Sequence, residues 1–548
     1  MSALVLETEE IFKYMFDNIM LYDIMVIALV GDPVKGEDFF NRKEELELLK
    51  RRIDSYKKGK KRNVALIGLR KIGKTSIIFE LKRIYQNIII VYIYLPEVNA
   101  EVFVDKCINS LLFELATYKK IKIESWYDTK EIISRLIKFM PETSSAALKI
   151  LDKPLNEKYR LIFDLFNIAK KEAGKEIVIV FDEFQRIVSY KHIQSPLDVF
   201  REKTMQQDIM YIISGSAVSM MNKMVSLTES PLYGHFEIMF VKNFKYESAR
   251  KFIRKKLYGL DINEFQIDFF IHFTNGNPFY LDILTFKVRD ICERKSLNRV
   301  STNLITNAIA DELFVSSGTL YNYFKFLIEE NLEKRGFNTF VKIMNSIAND
   351  KNSITEIHEF SGISVTSLPR LLRRLMEMDI LTKKGTKYYF VDDLLRFWFR
   401  YVYTVREESY IPELGTQIKQ FKSQIEQIIL SFKRELGKAR ESQIREIFTK
   451  KGYKVDSGLF NGEEFDLIIK DDDLILGEIK TKNVDTKEVN KFINKIRKVK
   501  NVKQKILFAL FGIDSKARKI CKKENIEIWD LDKVNRERKK CGLTQLKL

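Results

Sequence analysis

Along the first half of the chain, short unbroken apolar runs alternate with longer stretches in which apolar residues recur every three or four positions. The runs cover 64–67, 88–95, 177–181 and 210–214. Helical periodicity fills the intervals around 75–86, 101–118, 157–172 and 194–204. Continuous apolar strands separated by helices predict a parallel sheet covered on both faces. Residues 119–156 break this alternation and read as a helical insertion. Ahead of the first run, Phe40-Asn41-Arg42-Lys43-Glu44-Glu45 opens a helix, with Asn41 as the expected N-cap and acidic residues in the first turn.

The rhythm then changes. Residues 246–335 are helical throughout, interrupted at Asn275-Gly276-Asn277-Pro278. Residues 337–402 read as three helices followed by a β-hairpin at Lys384-Gly385, a winged helix-turn-helix pattern. A linker with Pro412 and Gly415 leads into a long amphipathic helix reaching about residue 450. Strands near 453–459, 464–470 and 474–481 follow, then helix 486–498, strand 504–511, helix 515–524 and strand 526–530. At 548 residues the chain is too long for one core. The expected partition is an N-terminal extension (1–37), an α/β core (38–245), a helical lid (246–335), a winged helix-turn-helix (336–405), a linker helix (406–430) and a C-terminal α/β domain (431–548).

Composition adds a partner class. The net charge is +19, and the segment from Gly415 onward holds 32 Lys and Arg against 20 Asp and Glu. More than half of the excess therefore lies in the last quarter, which favours a polyanion such as DNA there. The four cysteines and four histidines are scattered without metal-ligand spacing, which fits a reducing compartment. Residues 19–30 are apolar but too short to span a bilayer, and Glu7, Glu9 and Glu10 stand where a signal peptide would be basic. The expectation is a cytoplasmic protein with no membrane segment.

Gly68-Leu69-Arg70-Lys71-Ile72-Gly73-Lys74-Thr75 fits G-x-x-x-x-G-K-[ST], between an apolar strand and a helix beginning near Ser76. Glycines at both ends let the backbone N–H groups converge on phosphate oxygens, and the helix N-terminus adds its dipole. Lys74 then reaches the β- and γ-phosphates and the Thr75 hydroxyl holds Mg²⁺, implying a nucleoside triphosphate site. The run 177–181 ends in Asp182-Glu183. Beside a phosphate loop, Asp182 belongs to the Mg²⁺ shell and Glu183 is placed to deprotonate the attacking water. Ser214 reads equally as a hydroxyl beside the γ-phosphate or as an ordinary strand-end turn.

These segments resemble the archaeal ATPases of the STAND class within the AAA+ group. The resemblance spans about 38–300 through Phe40-Asn41-Arg42, the phosphate loop, Asp182-Glu183-Phe184-Gln185, Ser214-Gly215-Ser216, Pro231-Leu232-Tyr233-Gly234 and Gly276-Asn277-Pro278-Phe279-Tyr280. It implies ATP, adenine near Asn41 and Arg42, a sensor at Ser214 and a lid closing through the turn at Pro278; a nucleotide-dependent homo-oligomer is a separate expectation. His235 departs from the arginine that the family carries after Pro-Leu-Tyr-Gly, which leaves the role of that position open. Further on, Val391-Asp392-Asp393-Leu394-Leu395-Arg396-Phe397-Trp398 resembles the segment joining such ATPases to a restriction-endonuclease-like module of the PD-(D/E)xK group.

A geometric reading of the C-terminus agrees with that module. A hairpin centred on Asp472 sets Asp466 opposite Glu478, close enough for one Mg²⁺ to touch both carboxylates. Lys480 projects from the same face as Glu478 and would stabilise charge on a phosphate. By resemblance Glu441, on the preceding helix, completes the site. The same hairpin also fits an ordinary solvated face. Lys491, Lys495 and Lys498 would track a phosphate backbone or form the wet side of a helix. Arg370, Arg373 and Arg374 occupy the third helix of the winged pattern, either for groove readout or for internal packing. Three readings stay open: an ATPase controlling a DNA endonuclease, a nucleotide-switched DNA-binding regulator, and a signalling scaffold.

Overall fold

β1 (Asn63–Ile67), β2 (Ile89–Tyr94), β3 (Ile177–Asp182), β4 (Met210–Gly215) and β5 (Phe236–Phe240) form an all-parallel sheet in the order β2-β3-β4-β1-β5. The computed structural model describes residues 33, 36, 39–96, 100–123, 128–332, 336–408, 414–470, 473–480, 483–543 and 545–546. Nearly all of the expected N-terminal extension lies outside them. Every residue of β1, β3 and β4 is buried, which explains their unbroken apolar text. Alternate side chains serve opposite faces. Val64, Leu66, Val178 and Ile212 pack with α1 (Lys43–Tyr56) and α2 (Lys74–Ile84). Ala65, Ile67, Ile179 and Ile213 pack on the other face, with α3 (Ala100–Tyr118). The insertion supplies α4 (Thr129–Leu136) and α5 (Pro141–Leu151), followed by α6 (Leu155–Ala173), α7 (Pro196–Gln206) and α8 (Val218–Ser226).

Two local expectations need correction. Asn41 does not cap α1: Arg42 occupies the cap position, both residues have positive φ (62° and 64°), and no side chain caps that end. Strand β5 has no counterpart among the apolar runs, because Glu237 interrupts its pattern. Arg52 of α1 neutralises that carboxylate, donating from Nη2 to Oε1 at 2.8 Å, so the edge position tolerates it.

Beyond the sheet come α9 (Tyr246–Lys256), α10 (Glu264–Thr274), α11 (Pro278–Arg294), α12 (Thr302–Leu313) and α13 (Thr319–Asn331). Next are α14 (Phe337–Ala348), α15 (Ile354–Ser361) and α16 (Leu368–Glu377), with an antiparallel hairpin of β6 (Leu381–Lys384) and β7 (Lys387–Phe390). Ser353 and Glu356 form a reciprocal capping box at the start of α15. Pro369 falls in the first turn of α16, where its missing N–H costs nothing. α17 (Asp393–Trp398) starts from an Asp392 cap, and α18 (Thr404–Glu408) follows one π-helical turn.

The chain divides into two compact units. The second contains 261–269, 301–306 and 418–548, and the first holds the remainder. The second unit's sheet runs β12-β11-β10-β9-β8. The long α19 (Leu414–Lys450) precedes β8 (Val455–Phe460), β9 (Glu463–Lys470) and β10 (Leu474–Lys480), an antiparallel meander. Crossovers through α20 (Thr486–Arg497) and α21 (Ser515–Lys523) make β11 (Val502–Ala509) and β12 (Glu527–Asp530) parallel to β10. α20 and α21 cover one face through Phe492, Ile493 and Cys521, while Ile444 and Ile447 of α19 cover the other. α22 (Leu531–Lys540) was not legible in its charged text. It is held by the Asp530 cap and by Arg538, which reaches the Gln443 carbonyl.

Candidate functional site

The turn from β1 into α2 has the geometry its glycines permit. Gly73 has φ of 100°, with open space where a side chain would project, and a Cβ on Gly68 would come within 2.5 Å of the Val241 carbonyl oxygen. Lys74 folds back over this loop, its Nζ donating to the carbonyls of Gly68 at 2.7 Å and Leu69 at 3.0 Å. Burial lowers its pKa, opposed by the negative charges of Glu183 and Asp182. The Thr75 hydroxyl donates to Asp182 Oδ2 at 2.9 Å, so the two residues expected around Mg²⁺ are in contact. The Ser76 side chain is buried behind them on α2.

Glu183 sits beside them in a left-handed conformation, φ 55°. Its Oε2 accepts from Ser216 Oγ at 2.6 Å and Gln185 Nε2 at 2.5 Å. Burial alone would raise its pKa, but Lys74, these two donors and Arg70 outweigh it, and the net shift is downward. Glu183 is therefore ionised at neutral pH. Ser214 Oγ and Gln185 Oε1 are buried and accept or donate no hydrogen bond among the described residues. Unpartnered buried polar atoms beside an open backbone cradle fit a polyphosphate and its cation.

The remaining residues of the expected nucleotide set converge, in altered roles. Arg42 is buried and donates to the carbonyls of Ile72 at 2.7 Å and Lys242 at 2.6 Å, with its guanidinium 4.9 Å from the Phe244 ring. It ties the phosphate loop to the segment after β5, and Nη1 also donates to Glu45 Oε1 at 3.1 Å. The Phe244 N–H in turn donates to the Gly276 carbonyl at 2.9 Å. Asn277 caps α11, with Pro278 in its first turn, through the N–H groups of Phe279 and Tyr280. Lys71 and Arg70 lie over the rings of Phe279 and Phe326, at 5.5 Å each. α11 and α13 thus touch the phosphate loop directly. His235 Nε2 accepts from Arg201 at 3.4 Å, and burial together with that guanidinium lowers its pKa.

Three residues of this site had no assigned role in the sequence. Ser216 and Gln185 lay inside quoted motifs, whereas Tyr92 had no signal because its meaning depends on strand order. With β2 beside β3, its hydroxyl donates to Asp182 Oδ2 at 2.7 Å, making it the second donor to that oxygen.

In the second unit, β9 and β10 pair from Lys470↔Leu474 to Leu467↔Gly477. One further step along that register opposes Asp466 and Glu478, although the Asp471-Asp472 turn lies outside the described residues, as does Thr481. Asp466 Oδ2 accepts from the Ile479 N–H at 2.7 Å. Burial, with Glu478 and Glu441 adding negative charge, pushes its pKa up to about 6. Lys480 Nζ meets Glu478 Oε1 at 2.8 Å. Burial would lower the Lys480 pKa, but Glu478, Glu488 and Asp466 raise it overall. Glu441 on α19 lies 3.8 Å from Arg445, whose guanidinium donates to the Asp466 carbonyl at 2.9 Å. Among the described residues no three or more His, Cys, Asp or Glu side chains gather as a ready-made metal cluster. Two carboxylates suffice for Mg²⁺, which keeps several waters.

The expected phosphate-tracking lysines are not a free row. Lys495 contacts both Glu478 oxygens at 2.9 and 3.0 Å, Lys498 meets Glu463 at 2.6 Å, and Lys491 lies 3.6 Å from Glu488. The cause is local: acidic residues on β9, β10 and α20 itself lie within reach of each ammonium. Arg370, Arg373 and Arg374 are exposed on α16, opposite buried Leu368, Leu372 and Leu375.

Residues 39–284 match a family model described as an ATPase domain predominantly from Archaea. This segment is an archaeal-type ATPase domain. An uncharacterized protein of Methanocaldococcus jannaschii is 25% identical over 477 residues, covering 83% of this chain and 90% of that protein. Among solved structures, the Walker-type ATPase of Pyrococcus abyssi aligns with a TM-score of 0.48 and 21% identity, over 67% of this chain and 97% of its own. The Aeropyrum pernix ORC2 protein aligns with a TM-score of 0.42 and 13% identity, over 68% and 98%. No helix among the described residues of the ATPase chain is long and apolar enough to cross a membrane.

Proposed function

We propose that ATP binding and hydrolysis in the ATPase domain control a divalent-cation-dependent DNA endonuclease in the second unit. What supports the nuclease half is that Asp466 and Glu478 lie one register step beyond Leu467↔Gly477, with the Lys480 ammonium on Glu478, at the junction of an antiparallel hairpin and a parallel crossover.

In the ATPase domain, the backbone N–H groups of 69–74 and Lys74 bind the phosphates of the substrate ATP. Thr75 and Asp182 would hold Mg²⁺, which would supply charge neutralisation for the phosphates. Glu183 takes the proton from the attacking water, and Ser214 reads the γ-phosphate. The Arg70 and Lys71 contacts with lid aromatics make the lid responsive to whatever fills the loop.

In the second unit, Asp466 and Glu478 would hold the cation, which would supply Lewis-acid activation of water and charge stabilisation. Lys480 stabilises negative charge on the phosphate under attack, and Glu441 orients the site from α19. The winged-helix arrangement of α14–α16 and the β6–β7 hairpin offers Arg370 and Arg373 as a second DNA-facing surface.

The test is incubation of the full chain with linear, single-stranded and branched DNA, with Mg²⁺ or Mn²⁺, with and without ATP. Cleavage by the wild type that disappears in Glu478→Ala, while ATP hydrolysis persists, supports the proposal. A wild type that cuts nothing in any nucleotide state overturns it. One observation favours a second reading, a nucleotide-switched DNA-binding regulator: Lys495 occupies both Glu478 oxygens. That reading requires nucleotide-dependent binding without cleavage, in the wild type and in Lys495→Ala alike.

A further inference from the structure

On the second unit, a groove of about 750 Å³ runs between α21 and the starts of β11 and β12. Lys503, Lys505, Arg518, Lys519 and Lys522 line it, with Glu527 as the single carboxylate in the lining. Glu527 is already engaged, accepting from Gln504 Nε2 at 2.5 Å, from Trp529 Nε1 at 2.9 Å and from Lys533. It leaves little negative charge to oppose the five cations.

Three of these cations differ from Lys491, Lys495 and Lys498 in what they touch. Lys503 meets Asp473 at 2.5 Å and Lys505 donates to the Glu524 carbonyl at 3.2 Å, so these two are already engaged. Arg518, Lys519 and Lys522 are exposed, and among the described residues none of them meets a carboxylate at ion-pair distance. Every charged residue of α21 is basic: Lys516, Arg518, Lys519, Lys522 and Lys523. The opposite side of the helix is anchored by buried Ala517 and Cys521, so the cationic side cannot turn away from the groove. Like charges four apart on one helix, about 5–6 Å between Cβ atoms, repel one another and weaken the helix unless an anion offsets them.

We infer that this groove is the surface on which the second unit holds the phosphate backbone of DNA. A phosphodiester strand supplies one negative charge per nucleotide in a continuous row, which suits successive cations along α21 and β11 better than the isolated carboxylates of a peptide. The inference rests on the nuclease reading for the identity of the polyanion, but not on Asp466 or Glu478 being active.

The test uses the full chain and fluorescently labelled 20-mer duplex and single-stranded oligonucleotides, titrated at several salt concentrations. Lys519→Glu/Lys522→Glu should weaken binding at least tenfold and flatten the log–log salt dependence by about 0.9 for each phosphate no longer neutralised. Lys491→Glu/Lys498→Glu should change it less than threefold. ATP hydrolysis and melting temperature report that both variants are folded. Unchanged binding in the first variant, or equal competition by poly-glutamate, overturns the inference. Should the groove variant bind and cut normally, the inference fails and the nuclease reading stands. Should the groove variant lose binding while the wild type cuts nothing, the inference stands and the nuclease reading fails.

Discussion

Ser216 Oγ donates a 2.6 Å hydrogen bond to Glu183 Oε2, the carboxylate oxygen that also accepts from Gln185. A base whose lone pairs are occupied by two donors accepts a water proton less readily. Ser216→Ala should therefore raise basal ATP hydrolysis, by about ten- to a hundredfold, since a hydrogen bond to a charged group is worth about 1.5–3 kcal/mol. Nucleotide affinity should stay within twofold. Glu183→Gln should lower kcat at least a hundredfold with binding retained. Steady-state hydrolysis and nucleotide titration separate these effects. A fall in kcat for Ser216→Ala would instead make Ser216 a positioning residue for the active carboxylate.

Arg42 joins two segments that are far apart in sequence, the Ile72 and Lys242 carbonyls sharing its guanidinium. Arg42→Ala leaves both carbonyls without this donor. The expected loss is about 2–3 kcal/mol in unfolding free energy, with weaker ATP binding because the phosphate loop loses its brace. Arg42→Lys should recover only part of either, since one ammonium does not reproduce the planar fork. Chemical denaturation and nucleotide titration of the three proteins check both statements.

The parallel sheet was legible because β1, β3 and β4 are buried on both faces and their sequences are unbroken apolar runs. β5 was not, because an edge strand bears a charged residue that only Arg52 explains. The phosphate loop, Asp182 and Glu183 were legible as contiguous motifs. Tyr92 was silent, since strand order alone brings it to Asp182. Lys495 misled for a related reason. A lysine on an amphipathic helix reads as solvent-facing, yet α20 packs against β10 so that this one meets Glu478. Local text reports secondary structure and contiguous motifs well. It carries no information on which distant charges become neighbours.

Tyr280 donates its hydroxyl to Asp392, the buried cap of α17, and thereby links helix α11 to the segment after the β6–β7 hairpin. Burial raises the Asp392 pKa, and the Tyr280 donor opposes that shift. Tyr280→Phe should destabilise the first unit by about 1.5–3 kcal/mol and raise the Asp392 pKa further. A raised folded-state carboxylate contributes stability that is complete below its unfolded pKa and is lost as pH rises through the folded value. The mutant's deficit should therefore be larger at pH 8 than at pH 5. Denaturation curves at the two pH values measure it, and an equal deficit at both would show that Asp392 stays ionised throughout.

Asp466 provides a pH test for the second unit. Its pKa is pushed from 3.8 up to about 6 by burial and by Glu478 and Glu441. Because the folded value lies above the unfolded one, the contribution to stability is complete below pH 4 and falls as pH rises through 6. The burden at neutral pH is on the order of 3 kcal/mol, which Asp466→Asn should relieve. A divalent cation needs the ionised carboxylate, so its binding competes with the proton. Mn²⁺ affinity of the wild type should fall up to tenfold per pH unit below 6 and level off above 7. Asp466→Asn should bind weakly at every pH, with no such slope. Stabler protein with weaker metal binding is the signature of a carboxylate kept in an unfavourable place for its chemistry. If Asp466→Asn were instead less stable at pH 7.5, the negative charge itself would be what the fold uses there, and Asp466 would be a structural residue.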